Sequence, residues 1–98
     1  IFLLPTDNKY MFYNPKKNKY SEEYNNANNF NENLAGVTLK NKNYIINDNF
    51  DIIKEIPYKI ISPFFFDNAV IKNNNLCLVG LRQVGKTTLT LKLTNYNL

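Results

Sequence analysis

The chain has 98 residues and a formal net charge of +4 at pH 7. That length allows one small domain, and a domain of this size buries only about 60–65% of its unfolded surface, which leaves a thin stability margin. The single cysteine, Cys77, excludes an internal disulfide, and no run of ~18 apolar residues is present to form a membrane-spanning helix.

Asn makes up about a fifth of the chain, several times its usual share in globular proteins. The basic residues are dispersed, with Lys9, Lys19, Lys40, Lys42 and Lys72 standing singly and Lys16-Lys17 as the one doublet. A solvated surface fits this pattern better than a nucleic-acid patch, so no nucleic-acid partner is expected. The chain begins at Ile1 with no signal-peptide pattern, and the expectation is a fragment or processed product located in the cytoplasm or at the periphery of membranes.

Residues 1–33 hold short aromatic spots in a polar background, and Asn14-Pro15 is a turn signal. The Asn-rich stretch 14–33 reads as low-complexity sequence and is expected to be disordered. Its aromatics read as filler or core rather than as a platform for stacked bases. Residues 34–46 are better organised: "LAGVTL" and "NYII" flank Lys40-Asn41-Lys42-Asn43, which predicts a β-hairpin. "FDIIKEI", from Phe50 to Ile56, fits either a helical face or a strand, and Pro57 ends it. Phe64-Phe65-Phe66 must pack on something. Residues 1–74 thus read as an irregular Asn-rich extension carrying one hairpin.

After Asn73-Asn74-Asn75 the composition changes. Leu76-Cys77-Leu78-Val79 is a continuous apolar run, as in a buried parallel strand. Gly80-Leu81-Arg82-Gln83-Val84-Gly85-Lys86-Thr87 then matches G-x-x-x-x-G-K-[ST], the phosphate-binding loop. Gly80 and Gly85 let the backbone turn and come close to phosphate. The amides from Val84 to Thr88 are expected to form an anion nest, reinforced by a following helix. Lys86 would reach the β- and γ-phosphates, Thr87 would ligate Mg²⁺ and Thr88 would donate to the α-phosphate. Leu89, Leu91 and Leu93 alternate with Thr90, Lys92 and Thr94, a strand spacing. The helix is preferred here because Gly85-Lys86-Thr87-Thr88 opens one in this motif.

From Leu76 to about Asn95 the sequence resembles the first strand, loop and helix of a P-loop NTPase. Leu81, Thr87, Thr88, Leu89, Lys92 and Leu93 make it similar to Arf-like small GTPases, and Arg82, Gln83 and Val84 to prokaryotic AAA-type ATPases. The resemblance implies a truncated α/β P-loop domain over 75–98 that binds GTP, or ATP, with Mg²⁺. The nucleotide-binding residues would be Gly80, Val84, Gly85, Lys86, Thr87 and Thr88, with Thr87 as the metal ligand. It further implies effector or regulatory proteins as partners of the parent GTPase. The segments that read guanine and sense the γ-phosphate are not in the sequence, and no catalytic residue is named, so this chain alone is expected to be inactive. The alternative from another class is a non-catalytic interaction segment in which the loop is vestigial.

Overall fold

The computed structural model describes residues 1–65, 68–72, 77–84 and 88–95. They form eleven strands and, among the described residues, no helix. The strands are β1 (Phe2–Pro5), β2 (Tyr10–Asn14), β3 (Lys19–Tyr20), β4 (Asn26–Ala27), β5 (Leu34–Leu39), β6 (Lys42–Asn47), β7 (Ile52–Ile56), β8 (Lys59–Ile60), β9 (Asn68–Lys72), β10 (Cys77–Val84) and β11 (Thr88–Asn95). The α/β expectation is therefore corrected: the chain is all-β. Three antiparallel meanders follow one another in sequence, a first sheet ordered β1-β2-β3, a middle sheet ordered β4-β5-β6-β7 and a third sheet in which β8 to β11 are neighbours in turn.

The meanders stack face to face, with the middle sheet between the other two. One core cluster joins Leu34, Ile45 and Ile56 of the middle sheet to Ile60, Ala69 and Ile71 of the third, with Phe64 beside them. A second cluster joins Ala35, Val37 and Ile46 of the middle sheet to Phe12 of the first, with Tyr24 from the link between the two sheets. The pleat explains this division, since successive side chains on a strand point to opposite faces. On β5, Leu34 and Gly36 face the third sheet while Ala35 and Val37 face the first. The strand has a covered face on either side, and its first four residues are all buried.

Gly36 marks the closest approach of two layers. A Cβ placed there would lie 2.5 Å from Cβ of Ile60 and 2.6 Å from its Cγ2. Only a residue without a side chain lets β5 and Ile60 come this near.

The asparagines expected to be disordered are structural parts. Among the described residues seven non-glycine residues adopt positive φ, and four of them are Asn8, Asn18, Asn33 and Asn41. Asn tolerates the left-handed region that tight turns require. Lys40 and Asn41, at φ 51° and 65°, close the two-residue turn between β5 and β6, as a type I′ hairpin demands. Other asparagines tie layers together. Asn28 Nδ2 donates to the carbonyl of Ile60 at 2.6 Å, Asn31 Nδ2 to that of Phe64, and Lys19 Nζ to the carbonyl of Asn49 at 3.2 Å. Residues 14–33 contain β3 and β4, and the backbone N–H groups of Ser21, Tyr24, Asn25 and Asn28 all find backbone acceptors. Of the stretch 50–56, open between helix and strand in the sequence, Ile52–Ile56 form strand β7, with a register shift against β6 at Ile45/Ile46, and Phe50 and Asp51 lie in the loop before it.

Candidate functional site: the 80–88 segment and the outward face of the first sheet

Where it is described, the segment that carries the phosphate-loop motif is β-strand. Gly80 to Val84 continue β10 without a break and pair antiparallel with β11: Gly80 with Lys92, Leu81 with Leu91, Arg82 with Thr90, Gln83 with Leu89 and Val84 with Thr88. On its other side β10 pairs antiparallel with β9, from Cys77 opposite Ile71 to Gly80 opposite Asn68. The buried parallel strand expected at 76–79 is thus an antiparallel strand over Cys77–Val79, Leu76 lying outside the described residues.

Gly80 and Val84 lie on β10 and Thr88 opens β11, while Gly85, Lys86 and Thr87 lie outside the described residues. In an extended strand successive amide N–H groups point to opposite sides, so residues 80–84 do not curl into a concave nest. The helix expected to add its N-terminal dipole is replaced by β11, whose alternation of Leu89, Leu91 and Leu93 is the period of a strand. Among the described residues there is no group of three or more His, Cys, Asp or Glu side chains placed to hold a metal ion. No helix among them is long and apolar enough to cross a membrane.

A different feature emerges on the first sheet. Leu3 and Phe12 pack inward against the middle sheet. Their neighbours along each strand therefore face outward. Cross-strand register lines up Phe2 with Tyr13 and Tyr13 with Tyr20, forming an aromatic row across all three strands, with Leu4 beside Met11 as a second row. Phe2 is 59% exposed and Tyr20 58%. The Tyr13 and Tyr20 rings lie 4.6 Å apart, and Tyr13 Oη donates to Asn18 Oδ1 at 3.0 Å. Sequence reading missed this row because Phe2, Tyr13 and Tyr20 are far apart in the chain and only the register joins them.

The lysines near this row point elsewhere. Lys19 pairs with Asn14, a buried residue of the inward face; its ammonium lies 6.0 Å from the Phe50 ring centroid and donates to Asn49. Lys17 Nζ also donates to Asn49. Both belong to the contact between the β2–β3 turn and the β6–β7 loop. That loop is organised by Asn47, whose Oδ1 accepts from the N–H groups of Asn49 and Asp51. It holds Phe50 at φ 67° with its ring stacked on Phe12 at 6.2 Å.

A shallow open hollow lined by Asn41, Lys42, Asn43, Glu55, Ile56 and Pro57 lies beside the β5–β6 turn. Its Lys42 and Glu55 face each other at 3.7 Å with both side chains more than half exposed, so they contribute little. The Tyr24 hydroxyl has its pKa pushed up to about 12, chiefly by burial and further by the charge of Glu22, against an opposing hydrogen bond with Ser21. No family model, curated protein or solved structure matches this chain.

Proposed function

We propose that the chain is a non-catalytic interaction module, built as consecutive blades of a propeller-like array. The observation that carries this reading is the middle sheet. It is covered on one face by the meander before it in the sequence and on the other by the meander after it. Four-stranded antiparallel meanders repeated in this way are the unit of β-propellers. Each unit has two faces to cover, as in other stacked-repeat proteins. Such arrays work by presenting loops and faces to partners, and chemistry on them has to be built from convergent polar groups in a cleft. The hollow beside the β5–β6 turn is open, and its Lys42–Glu55 pair is exposed to solvent.

The nucleotide reading retains its sequence signal over Gly80–Thr87 but has lost the strand–loop–helix context that the signal requires. Calorimetric titration of the chain and of Lys86→Ala with Mg²⁺–GTP and Mg²⁺–ATP decides between the two. The module reading expects no binding that distinguishes the two proteins. Mg²⁺-dependent binding that disappears in Lys86→Ala overturns it and restores the GTPase or ATPase reading. Far-UV circular dichroism on the same samples tests the architecture: a β spectrum is expected, and a pronounced helical signature would overturn it.

A further inference from the structure

We infer that the β6–β7 loop is a latch across the seam between the first and middle sheets, and that it opens as a unit while both sheets stay folded. Phe50 in this loop stands at φ 67°, in the left-handed region that a bulky side chain rarely enters. Such a conformation persists only where its surroundings impose it.

Two sets of contacts impose it here. The first is a frame inside the loop. Asn47 Oδ1 accepts from the N–H groups of Asn49 at 2.9 Å and Asp51 at 3.0 Å. Phe50 N–H donates to the Asn47 carbonyl at 2.9 Å, and Asn47 N–H to the Asp51 carbonyl at 3.0 Å. The second set crosses to the first sheet and its neighbourhood. The Phe50 ring centroid lies 6.2 Å from that of Phe12 and 6.1 Å from that of Phe30. Lys17 Nζ donates to Asn49 Oδ1, Lys19 Nζ to the Asn49 carbonyl at 3.2 Å, and Asn14 Nδ2 to the Asp48 carbonyl at 3.5 Å. The Lys19 ammonium also lies 6.0 Å from the Phe50 ring centroid, so one side chain holds both the backbone and the ring of the loop.

Frame and seam contacts stand or fall together. The frame aims the Phe50 ring at Phe12, and the ring's packing offsets the strained backbone. Without the seam contacts the strain has nothing to balance it, and the frame relaxes. Those contacts are also the kind that yields first. Both lysine bonds are exposed, and their acceptors are neutral, so water competes for each. Phe50 is half-buried, whereas Phe12 behind it is fully buried. Opening breaks no cross-strand pair, because β6 ends at Asn47 and β7 begins at Ile52. Local openings of low free energy arise in such segments. This one uncovers the Phe12 ring while β5 and β6 stay paired.

Native-state hydrogen exchange of the intact chain, followed by NMR, is the test. The amides of Asn47, Asn49, Phe50 and Asp51 are expected to share one opening equilibrium. Its dependence on urea should be weaker than that of the strand amides of β5 and β6, because less surface is exposed. Lys17→Ala/Lys19→Ala is expected to raise all four opening constants about fivefold, with the amides of β5 and β6 exchanging as in the parent. Lys17→Arg/Lys19→Arg, which keeps a donor at each site, is expected to match the parent. Four unequal opening constants, constants equal to those of β5 and β6, or an Ala variant that exchanges like the parent each overturn the latch. So does an Arg variant that behaves like the Ala one. Any of these with β5 and β6 still protected leaves the module reading intact, whereas unprotected β5 and β6 overturn both.

Discussion

The middle sheet and the first sheet use the same alternation with different residues. In β5 both faces are covered, and the run Leu34-Ala35-Gly36-Val37 is small or aliphatic throughout. In β2 one face is covered, and aromatic residues stand on both sides of the pleat, with Phe12 buried and Tyr13 half-buried. At β5, squeezed from both sides, large rings on either face would force the neighbouring layers apart. A layer with one free face can spend volume on a large anchor inside and a polar-tipped ring outside.

That contrast is broken most strongly at Phe12. It is fully buried, packs edge-on against Phe30 at 4.7 Å and stacks on Phe50 at 6.2 Å. Phe12→Ala removes the centre of this ring cluster and is expected to lower unfolding stability by ~3–5 kcal/mol in urea denaturation. Tyr20→Lys, one strand away on the outward face, loses chiefly its contact with Tyr13 and is expected to cost ~1 kcal/mol or less. Equal losses at the two sites would erase the distinction between a covered and an open face.

Gly36 sharpens the comparison from the middle sheet's side. Gly36→Ala places a methyl 2.5 Å from Cβ of Ile60, a contact relieved only if β5 and β8 separate. A loss of ~1–3 kcal/mol is expected. In the double variant with Ile60→Ala the loss should fall well short of the sum of the two single ones, because the second substitution removes the atoms the methyl strikes. Additive losses would mean that the two layers do not meet at this point.

The next effect in size separates backbone satisfaction from packing. Ser21 is buried just past the end of β3, and its Oγ accepts the N–H of Phe12 at 2.8 Å. Ser21→Ala leaves that buried donor without its partner, which costs ~1–3 kcal/mol although almost no volume is lost. Thermal unfolding of Ser21→Ala beside Ser21→Thr, which retains the hydroxyl, measures it, and equal melting temperatures for Ser21→Ala and the parent would refute it.

Part of this architecture was legible in the sequence. The hairpin turn Lys40-Asn41 falls where β-branched runs flank an Asn pair, and local turn chemistry sets such a feature. The alternation of Leu89, Leu91 and Leu93 had the period of a strand; the motif Gly80–Thr87 outweighed it, and β11 shows that the period was the better guide. A four-position motif specifies a phosphate loop only together with its strand–loop–helix context. The Asn-rich composition was misleading for a physical reason. Asn disfavours regular structure, yet its side chain mimics a backbone group and tolerates positive φ. In Asn18, Asn33 and Asn41 it closes turns, and in Asn28 and Asn31 it bonds between layers. The outward aromatic row was not legible because it exists only through cross-strand register.

The smallest effect lies at the junction of the first and middle sheets. Tyr24 is 3% exposed, and burial with the neighbouring Glu22 charge raises its pKa from 10.0 to about 12. Below pH 10 the phenol is neutral in both folded and unfolded chains, and its contribution is fully present. Between pH 10 and 12 the unfolded chain releases this proton while the folded one retains it, so stability falls as pH rises, by at most ~1 kcal/mol per pH unit. Tyr24→Phe removes the ionisable group and keeps the ring that packs on Phe12 at 6.1 Å. The variant's stability should therefore decline less steeply than the parent's over this window. Parallel pH profiles of the two proteins would mean that the phenol at the boundary between the layers is open to water.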